Sequence, residues 1–198
     1  MARFLGGRYF PMSWEGGEKV PAGPLVVAAN HFSDIDPVIV SLAVGRPIRY
    51  LAVDELYGRS WFFDWLTLWL GAIPMSRSRA PLGALRLALA ELAAGGTVGL
   101  YPEGMRVWVW GELAPKRGAA WLARRAGVPL LPVAVAGSEQ VMGRGTHRIS
   151  RRPIHMVVCD PLHPEEFSDG PDPIGEMTGV WRQRVAEGLS RAYRHLSA

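Results

Sequence analysis

Short apolar runs, each too brief to make a core helix, recur along this chain with helix-patterned segments between them. Leu25-Val26-Val27-Ala28-Ala29 lies between Gly23-Pro24 and Asn30 and reads as a buried strand. Ile48 to Val53, Thr97 to Tyr101, Val128 to Ala136 and Ile154 to Cys159 read the same way. Pro37 suits the first position of a helix with Asp36 as N-cap and Val38 to Val44 as body. Leu82 to Ala94 places Leu82, Leu85, Leu89 and Leu92 at helical spacing and stops at Gly95-Gly96. Further helices are expected at Lys116 to Ala126 and from about Ile174 to Leu196, and an extended piece after Gly71 through Met75. Strands alternating with helices predict an α/β fold: one domain over residues 1–198, a mixed sheet flanked by helices, with a closing strand and helix at 154–196.

Composition narrows the classes. Hydrophobic residues at 48 % and charged residues at 20 % are globular proportions. The longest apolar stretches, such as Trp65 to Ser76, fall short of the ~20 residues that cross a bilayer, and Met1 to Phe10 has no signal-peptide core. A cytoplasmic location is the expectation. A lone cysteine, Cys159, excludes an intrachain disulfide and reads as a small buried hydrophobe. His147, His155 and His163, eight apart, fit no ligand pattern, so no metal is expected. The net charge of +4 is uneven, with Arg144, His147, Arg148, Arg151 and Arg152 clustered. Such clusters suit phosphates or an anionic membrane surface, and no nucleic-acid module accompanies them.

Asn30-His31-Phe32-Ser33-Asp34-Ile35-Asp36-Pro37 sets a histidine and an aspartate five positions apart where a strand gives way to a helix. A neutral imidazole accepts a proton near pH 7, and a carboxylate on its other nitrogen fixes the tautomer. Asp36 is the expected orienter of His31, and Asp34, nearer in sequence, is the competing carboxylate. The bland alternatives are that Asp36 only caps the helix and that Glu103 and Arg106 form a local ion pair. Trp61 to Leu70, apolar nearly all round, could fill the core, line an apolar tunnel or sit on a membrane. Pro129 and Pro132 suit a strand start and an irregular edge.

Three further blocks accompany the first in order: Gly71-Ala72-Ile73-Pro74-Met75-Ser76-Arg77, Tyr101-Pro102-Glu103-Gly104-Met105-Arg106, and Val128-Pro129-Leu130-Leu131-Pro132-Val133. Together the four resemble the motif blocks of the glycerolipid acyltransferases, the family of the lysophosphatidate acyltransferases, over roughly Val20 to Gly137. The resemblance implies His31 as general base and Asp36 as its partner. It implies that Arg106, with Glu103 and Gly104, holds the acceptor phosphate, and that Arg77 assists. Guanidinium suits that task because it gives phosphate two parallel charge-assisted hydrogen bonds. It further implies a glycerol-3-phosphate acyltransferase-like fold, a lysophospholipid acceptor, acyl-CoA or acyl carrier protein as donor, no cofactor, and peripheral work on the inner face of the cell membrane. Glycerol-3-phosphate or a glycolipid as acceptor is the alternative, and a non-catalytic lipid-binding module is another. Two departures stand out. Met105 takes the place of the usual small hydroxyl residue, and only thirty residues precede His31, where many relatives carry a longer membrane-associated segment.

Overall fold

The computed structural model describes residues 3–4, 11–53, 71–75, 82–145, 148–167 and 170–198. Trp61 to Leu70, Arg77 and His147, singled out above, lie outside the described residues. Eight strands, β1 (Arg3–Phe4), β2 (Met12–Glu15), β3 (Leu25–Ala29), β4 (Arg49–Val53), β5 (Ile73–Met75), β6 (Thr97–Leu100), β7 (Leu130–Ala136) and β8 (Ile154–Val158), form a sheet in the order β1-β2-β8-β7-β3-β6-β4-β5. The pairs β2–β8, β7–β3, β3–β6, β6–β4 and β4–β5 are parallel, while β1–β2 and β7–β8 are antiparallel. The sheet is therefore mixed, as its alternating elements predict.

Every residue of β3, β7 and β8 is buried, which is why β3 and β7 read as unbroken apolar runs and β8 as one interrupted only by His155: helices cover both faces of the sheet. Leu25, Val27 and Ala29 of β3 join the core cluster that contains Ile39, Val40, Ala43 and Val44 of α1 (Asp36–Val44). Val26 and Ala28 face the other cluster, packed against α2 (Leu82–Ala93), α3 (Gly118–Ala126) and α5 (Pro173–Ser197). Trp181 anchors α5 at the sheet's centre: it is 1 % exposed and its indole N–H donates to the Ala28 carbonyl at 2.9 Å. Large side chains buried this fully each contribute about 1.5–3 kcal/mol.

Several expectations need correction. Ile35, not Asp36, stands at the N-cap of α1, and no side chain caps that helix. The buried stripe of α2 is Ala84, Ala88 and Leu92, with Leu85 and Leu89 partly buried beside it and Leu82 exposed, because small residues let this helix lie close to the sheet. Pro132 lies in an interior strand rather than at an edge. It sits where the β7–β8 ladder begins, accepting from the Cys159 amide at 3.0 Å, so the bond proline cannot return falls at the ladder's end. The strand Met12–Glu15 and the short helix α4 (Ser138–Met142) had no sequence expectation. Cys159 is buried as expected. His155 is 2 % exposed, bonds the Ser13 hydroxyl at 2.7 Å and stacks on His195 at 3.9 Å, a packing role rather than an incidental one. No helix of the described residues is long and apolar enough to cross a membrane.

What positions the site is the connection pattern around β3 and β6, neighbours in register at Ala28↔Leu100. From β3 the chain runs through α1 over one face to β4, beyond β6. From β6 it runs through α3 over the opposite face to β7, on the far side of β3. The two chains diverge at their carboxyl ends, leaving a crevice of the kind in which open α/β sheets bind ligands.

Candidate active site

The turn that follows β3 is clamped from three sides. Asn30, fully buried, donates from its amide to the Val135 carbonyl at 2.9 Å and accepts from the Val135 amide at 2.8 Å, tying the end of β3 to β7. The His31 amide donates to Glu103 Oε2 at 2.6 Å, and the His31 carbonyl accepts from the Val107 amide at 2.9 Å. The Ser33 hydroxyl donates to the Met142 carbonyl. Both main-chain polar groups of His31 are thus held by the segment leaving β6.

Within this clamp Asp36 points back over the turn. Its Oδ2 accepts from the Phe32 amide at 2.8 Å, the Ser33 amide at 2.7 Å and His31 Nδ1 at 2.9 Å. A carboxylate can only accept, so Nδ1 carries the hydrogen and Nε2 keeps its lone pair. Asp36 is fully buried, whereas the His31 side chain stays 16 % exposed. The helix-capping alternative fails because this carboxylate serves upstream amides and the imidazole, not the amides of α1.

Asp34 has another partner. Its Oδ2 lies 2.7 Å from Arg106 Nη1, an ion pair with side chains 8 % and 17 % exposed. One guanidinium hydrogen is therefore occupied and the rest of the fork is held in place. The local Glu103–Arg106 pair is not formed: each reaches instead across the β3–β6 boundary to the 31–36 turn. Gly104 closes the turn at φ +76°, its amide donating to the Tyr101 carbonyl at 2.8 Å, and a Cβ there would meet Lys116 Nζ at 2.6 Å. A second cation therefore lies over the turn that carries Arg106. His31, Asp36, Glu103, Gly104 and Arg106 are brought together; Arg77 lies outside the described residues.

Beneath the imidazole stands a column of rings. The His31 ring stacks on Tyr101 at 3.9 Å and 16°, and Tyr101 stacks on Tyr50 at 5.5 Å and 9°. Gly99 makes room for the lowest ring, because a Cβ there would come within 2.4 Å of Tyr50. Burial pushes both phenols above their ordinary range. Asn30, Ser33, Tyr101 and Tyr50 are the site's supports that sequence reasoning missed; a polar residue ending a wholly apolar strand was the available signal for Asn30.

Burial also raises the Glu103 carboxyl from 4.5 to about 8, with the negative Asp36 adding to the rise and the bond from His31 opposing it. Its Oε1 is buried and meets no hydrogen-bond partner among the described residues. A carboxyl whose folded value is raised takes up protons on folding. Its contribution to stability is complete below about 4.5 and is lost as pH rises through about 8. Urea unfolding across that range should therefore show stability declining with pH, and Glu103→Gln should flatten the decline; an unchanged slope in the variant would mean that Glu103 is ionised throughout.

Fold and constellation together define a class: an α/β protein that holds a carboxylate-bound imidazole and a fixed guanidinium in the turns beyond the carboxyl ends of two neighbouring parallel strands. The chain belongs to the acyltransferase family, whose pattern matches residues 12–136. It is 29 % identical over 189 residues to the 1-acyl-sn-glycerol-3-phosphate acyltransferase of Bacillus subtilis, covering 89 % of this chain and 90 % of that one. To the enzyme of the same description from Pseudomonas aeruginosa it is 30 % identical, covering 88 % of this chain and 67 % of the other. Among solved structures it resembles the 1-acyl-sn-glycerophosphate acyltransferase PlsC of Thermotoga maritima, with a TM-score of 0.73, 26 % identity, and coverage of 90 % and 72 %.

Proposed function

We propose that this acyltransferase, acting as one domain, transfers a fatty acyl group from acyl-CoA or acyl carrier protein to the free hydroxyl of lysophosphatidate, giving phosphatidate for phospholipid synthesis. The observation that carries the reading is the His31–Asp36 pair at 2.9 Å, with Nε2 as the remaining basic nitrogen. Nε2 takes the proton of the acceptor hydroxyl as its oxygen attacks the thioester carbonyl; the C–O bond forms, the C–S bond breaks, and the proton passes to the departing sulfur. Asp36 stabilises the imidazolium in between. Arg106, preset by Asp34, grips the acceptor phosphate, with Glu103 and Gly104 shaping the turn and Arg77 assisting. The enzyme works on the inner face of the cell membrane, where its acceptor resides. No cofactor takes part in this scheme.

Similarity to two curated enzymes named for 1-acyl-sn-glycerol-3-phosphate supports this acceptor. The test is transfer from radiolabelled acyl-CoA to a panel of acceptors. Lysophosphatidate should be acylated well above glycerol-3-phosphate and an uncharged monoacylglycerol. Preference for glycerol-3-phosphate would replace the acceptor, and equal use of the uncharged lipid would remove Arg106 from its role.

A further inference from the structure

The segment leaving Arg106 does something the acyl-transfer chemistry does not use. Val107 is 1 % exposed, and Trp110, partly buried, packs on Trp181 with ring centroids 5.7 Å apart. Between these two anchors Trp108 is 60 % and Val109 64 % exposed. The tip is preformed: the Trp108 amide donates to Glu112 Oε2 at 2.7 Å and the Glu112 amide to the Val109 carbonyl at 3.3 Å. Two adjacent apolar side chains held in water on a fixed turn offer a small apolar surface to a partner.

Next to the tip lies the arginine-rich segment. The Arg144 guanidinium sits 5.6 Å from the Trp108 ring centre and 3.6 Å from Glu112, and a Cβ on Gly145 would touch the same indole at 3.4 Å. Ile149 is 58 % exposed, and Arg151 and Arg152 are exposed beside it in sequence. Gly143 bridges to Ser33 in the catalytic turn, so tip, arginines and His31 share one end of the sheet.

We infer that the Trp108–Val109 tip is a wedge that inserts into the headgroup region of an anionic lipid bilayer, with the neighbouring arginines on lipid phosphates. The occupant follows from the chemistry: tryptophan settles at the boundary between headgroups and chains, and arginines beside it are drawn to an anionic surface. It follows also from position. The tip is two residues from Arg106, and the Val107 amide holds His31, so insertion brings the imidazole to the level at which a lysolipid presents its hydroxyl and phosphate. This deepens the lysophosphatidate reading and, for the purpose of docking, rests on it. It places an anchor in a loop other than the aromatic stretch at 61–70, for which a membrane seat is one of three sequence readings.

The experiment places an environment-sensitive NBD label at Val109→Cys. Selective labelling is expected because Cys159 is buried and its thiol is pushed up to about 11 by that burial. Leu87→Cys, exposed on α2, is the control. With vesicles of phosphatidylcholine and phosphatidylglycerol, the Val109 label should shift to the blue and be quenched by doxyl lipids while the Leu87 label does neither. Unlabelled Trp108→Ser/Val109→Ser protein should partition onto vesicles about tenfold less or weaker still. It should keep turnover on a short-chain, monomeric lysophosphatidate while losing it on vesicle-borne acceptor. A Val109 label unmoved on protein that sediments with vesicles, or a double variant that binds as well as the parent, overturns the wedge and leaves another element or a protein partner to cover the tip. If the parent acylates no acceptor in any form, the proposed activity falls, while the label still decides docking.

Discussion

A His31→Ala protein should melt like the parent and turn over about 10²–10⁴-fold more slowly, the loss typical of a missing general base. Folding should survive because the turn is held by atoms that the substitution leaves in place: the residue-31 amide on Glu103, its carbonyl under Val107, and the Asp36 carboxylate on the amides of Phe32 and Ser33. What disappears is the Nε2 lone pair and one ring of the stack. Asp36 cannot be tested as cleanly. Asp36→Ala would strand two amides inside the protein and cost about 1–3 kcal/mol for each buried group left unpaired. Asp36→Asn retains an acceptor for those amides but no longer carries the charge that favours an imidazolium, so a smaller rate loss is expected with a modest drop in melting temperature. Steady-state turnover beside thermal melts decides. Near-parental turnover in folded His31→Ala would remove the base from the scheme, and damage confined to Asp34→Asn would transfer the orienting role.

Arg106→Ala should raise the Michaelis constant for a phosphorylated acceptor roughly ten- to a hundredfold and leave that for the donor nearly unchanged, the worth of one charged hydrogen-bonding partner lost from one substrate only. The Asp34 carboxylate complicates the single variant, since at 8 % exposure it would be left facing the acceptor phosphate without its counter-ion. Asp34→Asn/Arg106→Ala removes that repulsion, and the remaining defect is the arginine's own. Lysine should rescue only partly, because one ammonium cannot hold the carboxylate and present a planar fork at once. Unchanged acceptor kinetics in both variants would reduce Arg106 to a structural ion pair.

The interior strands were legible because covering both faces of the sheet forces long apolar runs, and Leu25–Ala29 and Leu130–Ala136 have them. Met12–Glu15 was not: half of it is polar, and the hydroxyl of buried Ser13 finds its hydrogen-bond partner in His155, 142 positions away. The same limit governs the site. Spacing brought His31 and Asp36 into one turn, but which carboxylate serves the imidazole depends on where Arg106 is, and Arg106 reaches Asp34 from 72 residues away through the pairing of β3 with β6. The family resemblance sets Glu103 beside Arg106 at the acceptor phosphate, with a local ion pair as the bland alternative; in the folded chain Glu103 Oε2 accepts from the His31 amide across that pairing. Local pattern specifies elements and turns, whereas partners supplied by a neighbouring strand have no local trace.

The column of rings makes the His31 imidazole answerable to a residue it never touches. Gly99 lies two rings below His31, on the sheet itself, and a single added methyl would press on Tyr50, which stacks on Tyr101, which in turn stacks on the imidazole. Side chains packed without voids transmit displacement, because a ring with a neighbour against its face has no free space to move into. The tolerance of the fold to error in placing the His31 imidazole is therefore set in the middle of a strand, and mutational intolerance should run down through the sheet as a narrow shaft as well as around the 31–36 turn.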